Sequence, residues 1–242
     1  MRPLIYTPSG RAGEYADHGY AANLYKGCTH GCLYCYAPFY VSRKEFHSKV
    51  TPAPDVLERL KRDMTRVGQL SEPVFLCFSC DPYCIGTEHW RTRDAIKIIT
   101  DHGNSVNILT KGGMEACRDF DLLSASNSQI GATLTFYSSA LSLKWEPNAA
   151  LPMNRIEMLY RAQSRNIRTW ASIEPVIVPS ESLMIMEAAM LYVDTFKIGK
   201  WNHDKRAAAI DWGKFLEDAV ALCEQHGKAY VIKQDLLKYK KP

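Results

Sequence analysis

The sequence predicts an α/β protein whose parallel strands form a partial or complete βα barrel. Short β-rich runs alternate with helix-like stretches about six or seven times, and this alternation is typical of parallel sheets. No glycine-rich dinucleotide fingerprint follows a strand, which disfavours an open nucleotide-binding sheet. The 242 residues, 46% of them hydrophobic, suit a globular protein, and barrels commonly use such a length in one domain.

The strands are predicted where β-branched and aromatic residues cluster. The first is expected near residues 21–25, and it leads directly into a loop that contains three cysteines. The later strands are expected at residues 73–79, 105–110, 130–136, 167–178, 195–199 and 229–233. Each is short enough to be a buried strand of a parallel sheet.

Helices are predicted between the strands because apolar side chains recur there at three- to four-residue spacing. Asp55 begins the first helix, and Gly103 is a C-terminal stop for the second. The expected helical ranges are 55–64, 89–102, 119–125, 154–165, 181–191 and 205–226. We therefore expect a single domain over residues 1–242, with its core at about 20–204 and a short C-terminal βα extension at about 205–242.

Composition narrows the class of protein. No apolar run approaches the roughly 20 residues that span a bilayer, so no membrane partner is expected. The net charge of +4 is too small to indicate nucleic-acid binding by itself. Eight cysteines without a secretory signal favour a reducing compartment, and we expect a cytoplasmic protein.

Cys28, Cys32 and Cys35 form the most informative motif of the chain. Their C-x3-C-x2-C spacing places three thiolates within reach of one inorganic centre. Iron–sulfur clusters are held by cysteine thiolates, and three ligands on a four-iron cluster leave one iron open for chemistry. The spacing therefore favours a catalytic iron–sulfur site.

A structural zinc ion is the alternative interpretation of the same motif. Zinc normally takes four ligands, often from two C-x2-C pairs. Cys32 and Cys35 form one such pair, and Cys77 and Cys80 form another. His30 is a further candidate for the fourth ligand, although its place inside the motif makes wrapping one ion difficult.

Polar residues after the later strands are further candidates, because the active sites of barrels gather at the C-terminal ends of the strands. Lys111 follows the third strand, Asp81 the second and Glu174 the fifth. A lysine with one of these acids would complement the carboxylate and ammonium groups of an amino-acid-like ligand.

A second group of cysteines follows the second strand. Cys77 lies in an apolar run and is interpreted as a small buried residue. Cys80 and Cys84 fall in the loop above the barrel, where a reactive thiol is expected. We take these two residues as candidate catalytic groups.

The cysteine motif also carries a family resemblance. The run Gly27-Cys28-x3-Cys32-x-Tyr34-Cys35-Tyr36-Ala37 after a first strand resembles the radical S-adenosylmethionine superfamily, and within it the spore photoproduct lyase-like group. Further runs support the resemblance in the same order: Ser79-x-Asp81-Pro82-Tyr83, Leu109-Thr110-Lys111, Trp145-Glu146-Pro147, Arg155-Ile156-Glu157 and Ile173-x-Pro175-Val176-Ile177.

The resemblance implies a partial (β/α)6-type TIM barrel and a radical reaction. Cys28, Cys32 and Cys35 would ligate a [4Fe-4S] cluster, and the methionine part of S-adenosylmethionine would chelate its open iron. An electron from a reductase such as flavodoxin or ferredoxin would cleave the cofactor. The resulting 5′-deoxyadenosyl radical would abstract hydrogen from substrate.

The resemblance also implies cofactor-binding residues. Tyr34 matches an aromatic position near the adenine, and Lys111 matches a cation near the methionine carboxylate. The polar positions near the methionine amine correspond to Ser79 and Asp81. The strand positions that approach the ribose and adenine correspond to Thr133, Thr135 and Glu174.

The chain departs from the family pattern at Cys84-Ile85-Gly86, where the relatives usually have a Gln-Pro type sequence. This departure makes Cys84 a candidate hydrogen-atom donor of its own. The implied substrate is a DNA lesion, base or nucleotide. The alternatives are a radical enzyme that modifies a peptide or small metabolite, and a zinc-stabilised binding protein without catalysis.

Overall fold

The computed structural model describes residues 3–15, 19–38 and 42–240, apart from the side chain of Arg11. Short strands recur along this part of the chain where β-branched and apolar residues cluster. The strands are β1 (Ile5–Tyr6), β2 (Tyr20–Ala22), β3 (Tyr25–Lys26), β4 (Thr51–Pro52), β5 (Val74–Leu76), β6 (Val106–Thr110), β7 (Gln129–Thr133), β8 (Arg168–Ile173), β9 (Thr195–Ile198) and β10 (Ala229–Ile232).

The main sheet has eight strands in the order β1-β2-β5-β6-β7-β8-β9-β10. The edge strand β1 pairs antiparallel with β2, and every later pairing is parallel. Strands β3 and β4 form a separate antiparallel pair beside the sheet. The parallel strands follow one another in chain order, as expected for βα units with right-handed crossovers.

Helices connect the parallel strands and cover the outer face of the sheet. The α-helices are α1 (Arg11–Tyr15), α2 (Arg43–Phe46), α3 (Val56–Val67), α4 (His89–Asp101), α5 (Phe120–Ala125), α6 (Ser139–Trp145), α7 (Pro152–Gln163), α8 (Pro179–Ala189), α9 (Trp212–Gln225) and α10 (Gln234–Leu237). Short 3₁₀ helices cover Gly113–Asp119, Met190–Tyr192 and Lys205–Ala209. Within the described ranges, no helix has the length and apolar character of a membrane span.

The alternation predicted from the sequence is confirmed, with differences at the ends of elements. The strand predicted at 167–178 ends at Ile173, because Pro175 lacks the amide hydrogen that a sheet requires. The helix predicted at 205–226 is divided, and Asp211 caps its second part by accepting a hydrogen bond from the Lys214 amide. The first strand ends at Ala22, and Tyr25 belongs to the separate β3–β4 pair.

Two apolar layers hold the barrel together. The larger lies between the sheet and the outer helices and includes most of the buried aliphatic side chains. The smaller lies inside the barrel, where Ala21, Phe75 and Trp170 pack together. A side chain at Gly131 would meet the Trp170 indole at 2.5 Å, so only glycine lets this large ring lie flat against β7. These side chains therefore fill the barrel interior below the C-terminal ends of the strands.

Candidate active site

A cavity of about 280 Å³ opens at the C-terminal ends of the parallel strands, where a barrel normally binds its ligand. Loops after β3, β5, β6, β8 and β9 contribute its wall. Most of the site residues predicted from the sequence line this cavity: Cys28, Cys32, Tyr34, Cys35, Ser79, Cys80, Asp81, Lys111, Thr133 and Glu174.

The three motif cysteines all face the cavity as free thiols. Cys32 is buried, whereas Cys28 and Cys35 are half-buried. Among the described residues, no three histidine, cysteine or acidic side chains converge at the distances that one metal ion requires.

The thiols of the motif are protonated in the absence of a metal. Burial raises the pKa of Cys32 to about 12 and also raises that of Cys35. A hydrogen bond with the Cys84 thiol, together with burial, raises the pKa of Cys28 well above its usual range. Because metals bind thiolates, a metal centre held by these cysteines would release protons as it binds.

His47 supplies an additional sign that the cavity receives a polar group. Its Nδ1 lies 2.6 Å from the carbonyl oxygen of Cys28, so Nδ1 carries the ring proton of the neutral tautomer. Its Nε2 is then an acceptor, and this atom is buried without a hydrogen-bond partner in the described part of the chain. His47 lines the same cavity as the cysteines, which fits a bound cofactor that supplies the missing donor.

His30 ties the cysteine loop to the loop after β5. Its Nε2 lies 2.9 Å from Oδ2 of Asp81, and both residues are buried. The amides of Tyr83 and Lys111 and the hydroxyl of Thr110 also donate to Asp81, at 2.9, 2.7 and 2.7 Å. Burial opposes ionisation, yet these donors and His30 lower the pKa of Asp81 to about 2. Asp81 is thus an ionised carboxylate with its acceptor positions occupied by protein donors.

Tyr34 is oriented by a buried ion pair. Its hydroxyl donates to Oε1 of Glu146, whose Oε2 lies 2.5 Å from Nη2 of Arg155. The Arg155 guanidinium also donates to the carbonyl oxygens of Thr133 and Ala150, each at 2.8 Å. Burial followed by the Glu146 charge raises the pKa of Tyr34 well above its usual range, so the phenol stays neutral.

Lys111 stands beside Tyr34 at the cavity wall. Its Nζ lies 5.6 Å from the centre of the Tyr34 ring, within the range of a cation–π contact. Burial opposes protonation, but the nearby Cys32 and Glu146 raise the pKa of Lys111. The site therefore contains a lysine that remains cationic near the cysteine loop.

Glu174 occupies the opposite side of the cavity, at the end of β8. Its Oε2 accepts a hydrogen bond from the Tyr15 hydroxyl at 2.7 Å and lies 3.0 Å from Nζ of Lys233. Its Oε1 accepts from Asn202 at 3.3 Å. The side chain of Glu174 thus links α1 to the ends of β8 and β10 and places a carboxylate at the wall.

Two predicted site residues lie outside the cavity wall. Strand β7 ends at Thr133, and Thr135 is buried with its hydroxyl 3.4 Å from Oε1 of Glu146. In this position its hydroxyl supports Glu146 and Tyr34, and its expected approach to the cofactor stays a prediction. Cys84 is buried behind Cys28 and does not line the cavity. The hydrogen-donor role of Cys84 stays a prediction, without direct access to the cavity.

Cys77 lies at the cavity, whereas the sequence predicts it inside an apolar strand. Strand β5 ends at Leu76, so Cys77 is not inside the strand, and it lines the cavity together with Cys80. Burial, followed by a hydrogen bond with Cys77, raises the pKa of Cys80 well above its usual range. The interpretation of Cys77 as a packing residue is incomplete, because its sulfur also accepts a hydrogen bond from the Leu24 amide at 3.4 Å.

Comparisons of sequence give distant relatives. No protein-family model matches the chain. Uncharacterized protein MJ0683 of Methanocaldococcus jannaschii is 29% identical over 160 residues, which are 65% of this chain and 60% of that protein. Uncharacterized protein Rv2578c of Mycobacterium tuberculosis strain H37Rv is 23% identical over 169 residues, which are 65% of this chain and 49% of that protein. The matched region therefore spans about half to three fifths of these relatives.

The structural comparisons cover more of the chain than the sequence comparisons do. Spore photoproduct lyase complexed with dinucleoside spore photoproduct has a TM-score of 0.70 at 14% identity, over 96% of this chain and 80% of that chain. Streptococcus suis SuiB bound to S-adenosylmethionine has a TM-score of 0.64 at 12% identity, over 90% of this chain and 51% of that chain. These comparisons confirm the predicted architecture: the chain has the partial-barrel fold of the radical S-adenosylmethionine enzymes spore photoproduct lyase and SuiB.

Proposed function

We propose that this protein is a radical S-adenosylmethionine enzyme. The observation that carries the proposal is the position of three free thiols, Cys28, Cys32 and Cys35, in one cavity at the C-terminal ends of the strands. When bound, a [4Fe-4S] cluster and S-adenosylmethionine supply a 5′-deoxyadenosyl radical that abstracts hydrogen from the substrate. The electron comes from a separate reductase, such as flavodoxin or ferredoxin.

The residues around the thiols suit the two ends of S-adenosylmethionine. Lys111 remains cationic and is assigned to the methionine carboxylate, because charge-assisted hydrogen bonds hold such groups strongly. Tyr34 presents a neutral ring beside Lys111 and is assigned to the adenine side. Ser79, Thr133 and Glu174 complete the polar wall.

Asp81 has a supporting role in this proposal. His30, Thr110, Tyr83 and the Lys111 amide already satisfy its oxygens. The carboxylate therefore acts by holding the cysteine loop and the Lys111 backbone in place. Direct contact with the methionine amine is left to the other polar residues of the wall.

The proposed substrate is a nucleic acid or nucleotide, and one feature of the cavity supports it. Phe78 is half-buried at the cavity wall, and its ring stacks on the buried Phe75 at a ring separation of 4.3 Å with an interplanar angle of 15°. Aromatic walls stabilise unstacked bases. The spore photoproduct lyase with a similar fold is complexed with a dinucleoside photoproduct. Cys80 is the proposed hydrogen-atom donor, because its thiol lies at the same wall.

A peptide substrate is the second candidate. SuiB, which shares the fold, is bound to precursor peptide SuiA in another structure, with a TM-score of 0.58. The cavity mouth carries the exposed side chain of Tyr36, a residue type suited to either a base or a peptide. The two candidates are therefore separated by experiment.

The reaction class is tested by anaerobic reconstitution with iron and sulfide, followed by reduction in the presence of S-adenosylmethionine. We expect 5′-deoxyadenosine from the parent chain and from a Cys117→Ala control, whose thiol lies outside the cavity. Cys32→Ala should form none. A colourless parent chain that binds one zinc tightly and forms no 5′-deoxyadenosine would establish the zinc-stabilised alternative.

Substrate class is tested with the same reconstituted protein. Deuterated dinucleotides and deuterated peptides are incubated separately, and deuterium in 5′-deoxyadenosine is measured by mass spectrometry. We expect deuterium to be transferred from the dinucleotide. Transfer from a peptide alone would favour the second candidate.

A further inference from the structure

The cysteine loop is held from outside by the side chain of Arg43, at the start of α2. Nη1 of Arg43 donates to the carbonyl oxygen of Cys32 at 2.9 Å, and Nη2 donates to that of Cys35 at 3.0 Å. A guanidinium is a rigid planar fork, so two bonds from its two ends fix the separation of the two carbonyls. The relative position of two motif cysteines thus depends on one side chain.

The residues after Arg43 hold the third cysteine. The amide of Cys28 donates to the carbonyl oxygen of Phe46 at 3.1 Å, and His47 contacts the Cys28 carbonyl. A side chain at Gly27 would meet the carbonyl oxygen of Lys49 at 2.2 Å, so the close approach of the two segments requires glycine there. Residues 43–47 therefore contact the backbone of every motif cysteine.

Arg43 also brings a permanent positive charge to the cysteines. The guanidinium nitrogens lie 2.9 and 3.0 Å from the carbonyl oxygens of Cys32 and Cys35, so this charge stands directly beside two of the three motif cysteines. Net charge near an iron–sulfur cluster is one determinant of its reduction potential. A fixed cation stabilises the reduced, more negative form by Coulomb attraction.

We propose that Arg43 is a positioning residue with two effects: its fork sets the geometry of Cys32 and Cys35, and its charge raises the reduction potential of the bound cluster. The effect on geometry is a property of the chain alone. The effect on potential rests on the proposed function. Arg43 acts through the backbone of the motif cysteines and is not among the described residues that line the cavity.

Three variants separate these effects. Arg43→Gln removes both fork and charge, and Arg43→Lys keeps the charge without the fork. Lys44→Gln is the matched control, because this substitution removes one positive charge from the same short helix. Within the described ranges, Lys44 makes no hydrogen bond to the cysteine loop.

The first measurement is the alkylation rate of Cys32 in the metal-free, full-length chain, followed by mass spectrometry. Cys32 is buried, so alkylation reports opening of the loop. Both Arg43 variants should react on the order of tenfold faster than the parent and the Lys44→Gln control, because losing a hydrogen bond from a charged group costs about 1.5 kcal/mol. Equal rates in all four proteins would overturn the positioning role.

The second measurement is a redox titration of the reconstituted proteins. Arg43→Gln should have a more negative midpoint potential than the parent, whereas Arg43→Lys should remain close to it. Iron affinity should fall about ten- to a hundredfold in both Arg43 variants, as for other residues that support metal ligands. An unchanged potential in Arg43→Gln contradicts the charge effect.

The two measurements distinguish failure of this inference from failure of the proposed function. If no protein of the set assembles a cluster but the alkylation rates differ as expected, the proposed function is wrong and the positioning role stands. If every protein assembles the cluster with equal affinity and equal alkylation rates, the proposed function stands and the positioning role is wrong.

Discussion

The cysteine loop and the segment after β5 are both rich in cysteine, yet their contacts differ. The loop of Cys28, Cys32 and Cys35 is anchored through its backbone, which leaves each thiol at the cavity. In residues 77–84 the thiols hydrogen-bond to other thiols, Cys80 to Cys77 and Cys84 to Cys28. The comparison teaches that the position of the thiols separates the two regions: all three of the first line the cavity, whereas Cys84 of the second is buried outside its wall.

Replacing single cysteines of the two regions by alanine should give the largest difference, measured as iron content. Cys28→Ala, Cys32→Ala and Cys35→Ala should each lose the iron of the reconstituted protein, because each removes one of the three thiolates proposed to hold the cluster. Cys80→Ala should retain it. Iron and sulfide per chain are measured after anaerobic reconstitution. Retention of full iron by Cys32→Ala, or its loss from Cys80→Ala, would reverse the assignment of the two regions.

Breaking the buried ion pair beside the cysteine loop should have the next largest effect, on the free energy of unfolding. Glu146→Gln leaves the Arg155 guanidinium buried without its carboxylate, and breaking such pairs costs about 3–5 kcal/mol. The free energy of unfolding of the metal-free chain is measured in denaturant. The control is Glu157→Gln, which removes an exposed ion pair with Arg161 and should leave the midpoint nearly unchanged. Equal effects of the two substitutions would contradict the role of burial.

Asp81 connects the two regions, because it belongs to the second and holds His30 of the first. A folded-state pKa of about 2 against the ordinary aspartate value of 3.8 corresponds to about 2 kcal/mol of stability. The pKa is lowered by folding, so this contribution is complete above about pH 5 and is lost progressively as the pH falls through the folded-state pKa of about 2. The stability difference between the parent and Asp81→Asn should therefore shrink over that interval. A difference that stays constant from pH 6 to pH 2 would exclude an ionised Asp81 as the link.

The smallest effect is expected at Cys84. Cys84→Ala should leave iron content and 5′-deoxyadenosine formation close to those of the parent, because the thiol lies behind Cys28 and outside the cavity wall. A slower or diverted product with normal cofactor cleavage would support the hydrogen-donor prediction. Loss of the cluster would show that the second region also supplies a ligand.

The sequence predicts the fold well where strand and helix patterns are long. The helices around Leu60 and Ile96 have clear apolar faces, and the strands between them are short apolar runs. Elements of only a few residues, such as β1, α1 and α2, have no measurable period and are missed. Their positions depend on tertiary contacts, as the bond from Tyr15 to Glu174 illustrates.

Part of the candidate site is also predicted from the sequence. Lys111 and Glu174 follow strands, and the common edge of a parallel sheet brings such residues together. Arg43 and His47 carry no sequence signal, because they lie on or just after a four-residue helix and act on backbone atoms. Cys84 is predicted at the wall from its loop position, but the turn after Asp81 directs it toward Cys28.

The most direct test of the account is electron paramagnetic resonance of the reduced, reconstituted protein before and after addition of S-adenosylmethionine. The account predicts about four irons per chain and a cluster signal that changes when the cofactor binds the open iron. The Cys117→Ala control should behave like the parent. A chain that holds no cluster, or a cluster whose signal is unaffected by S-adenosylmethionine, would contradict the assignment of Cys28, Cys32 and Cys35.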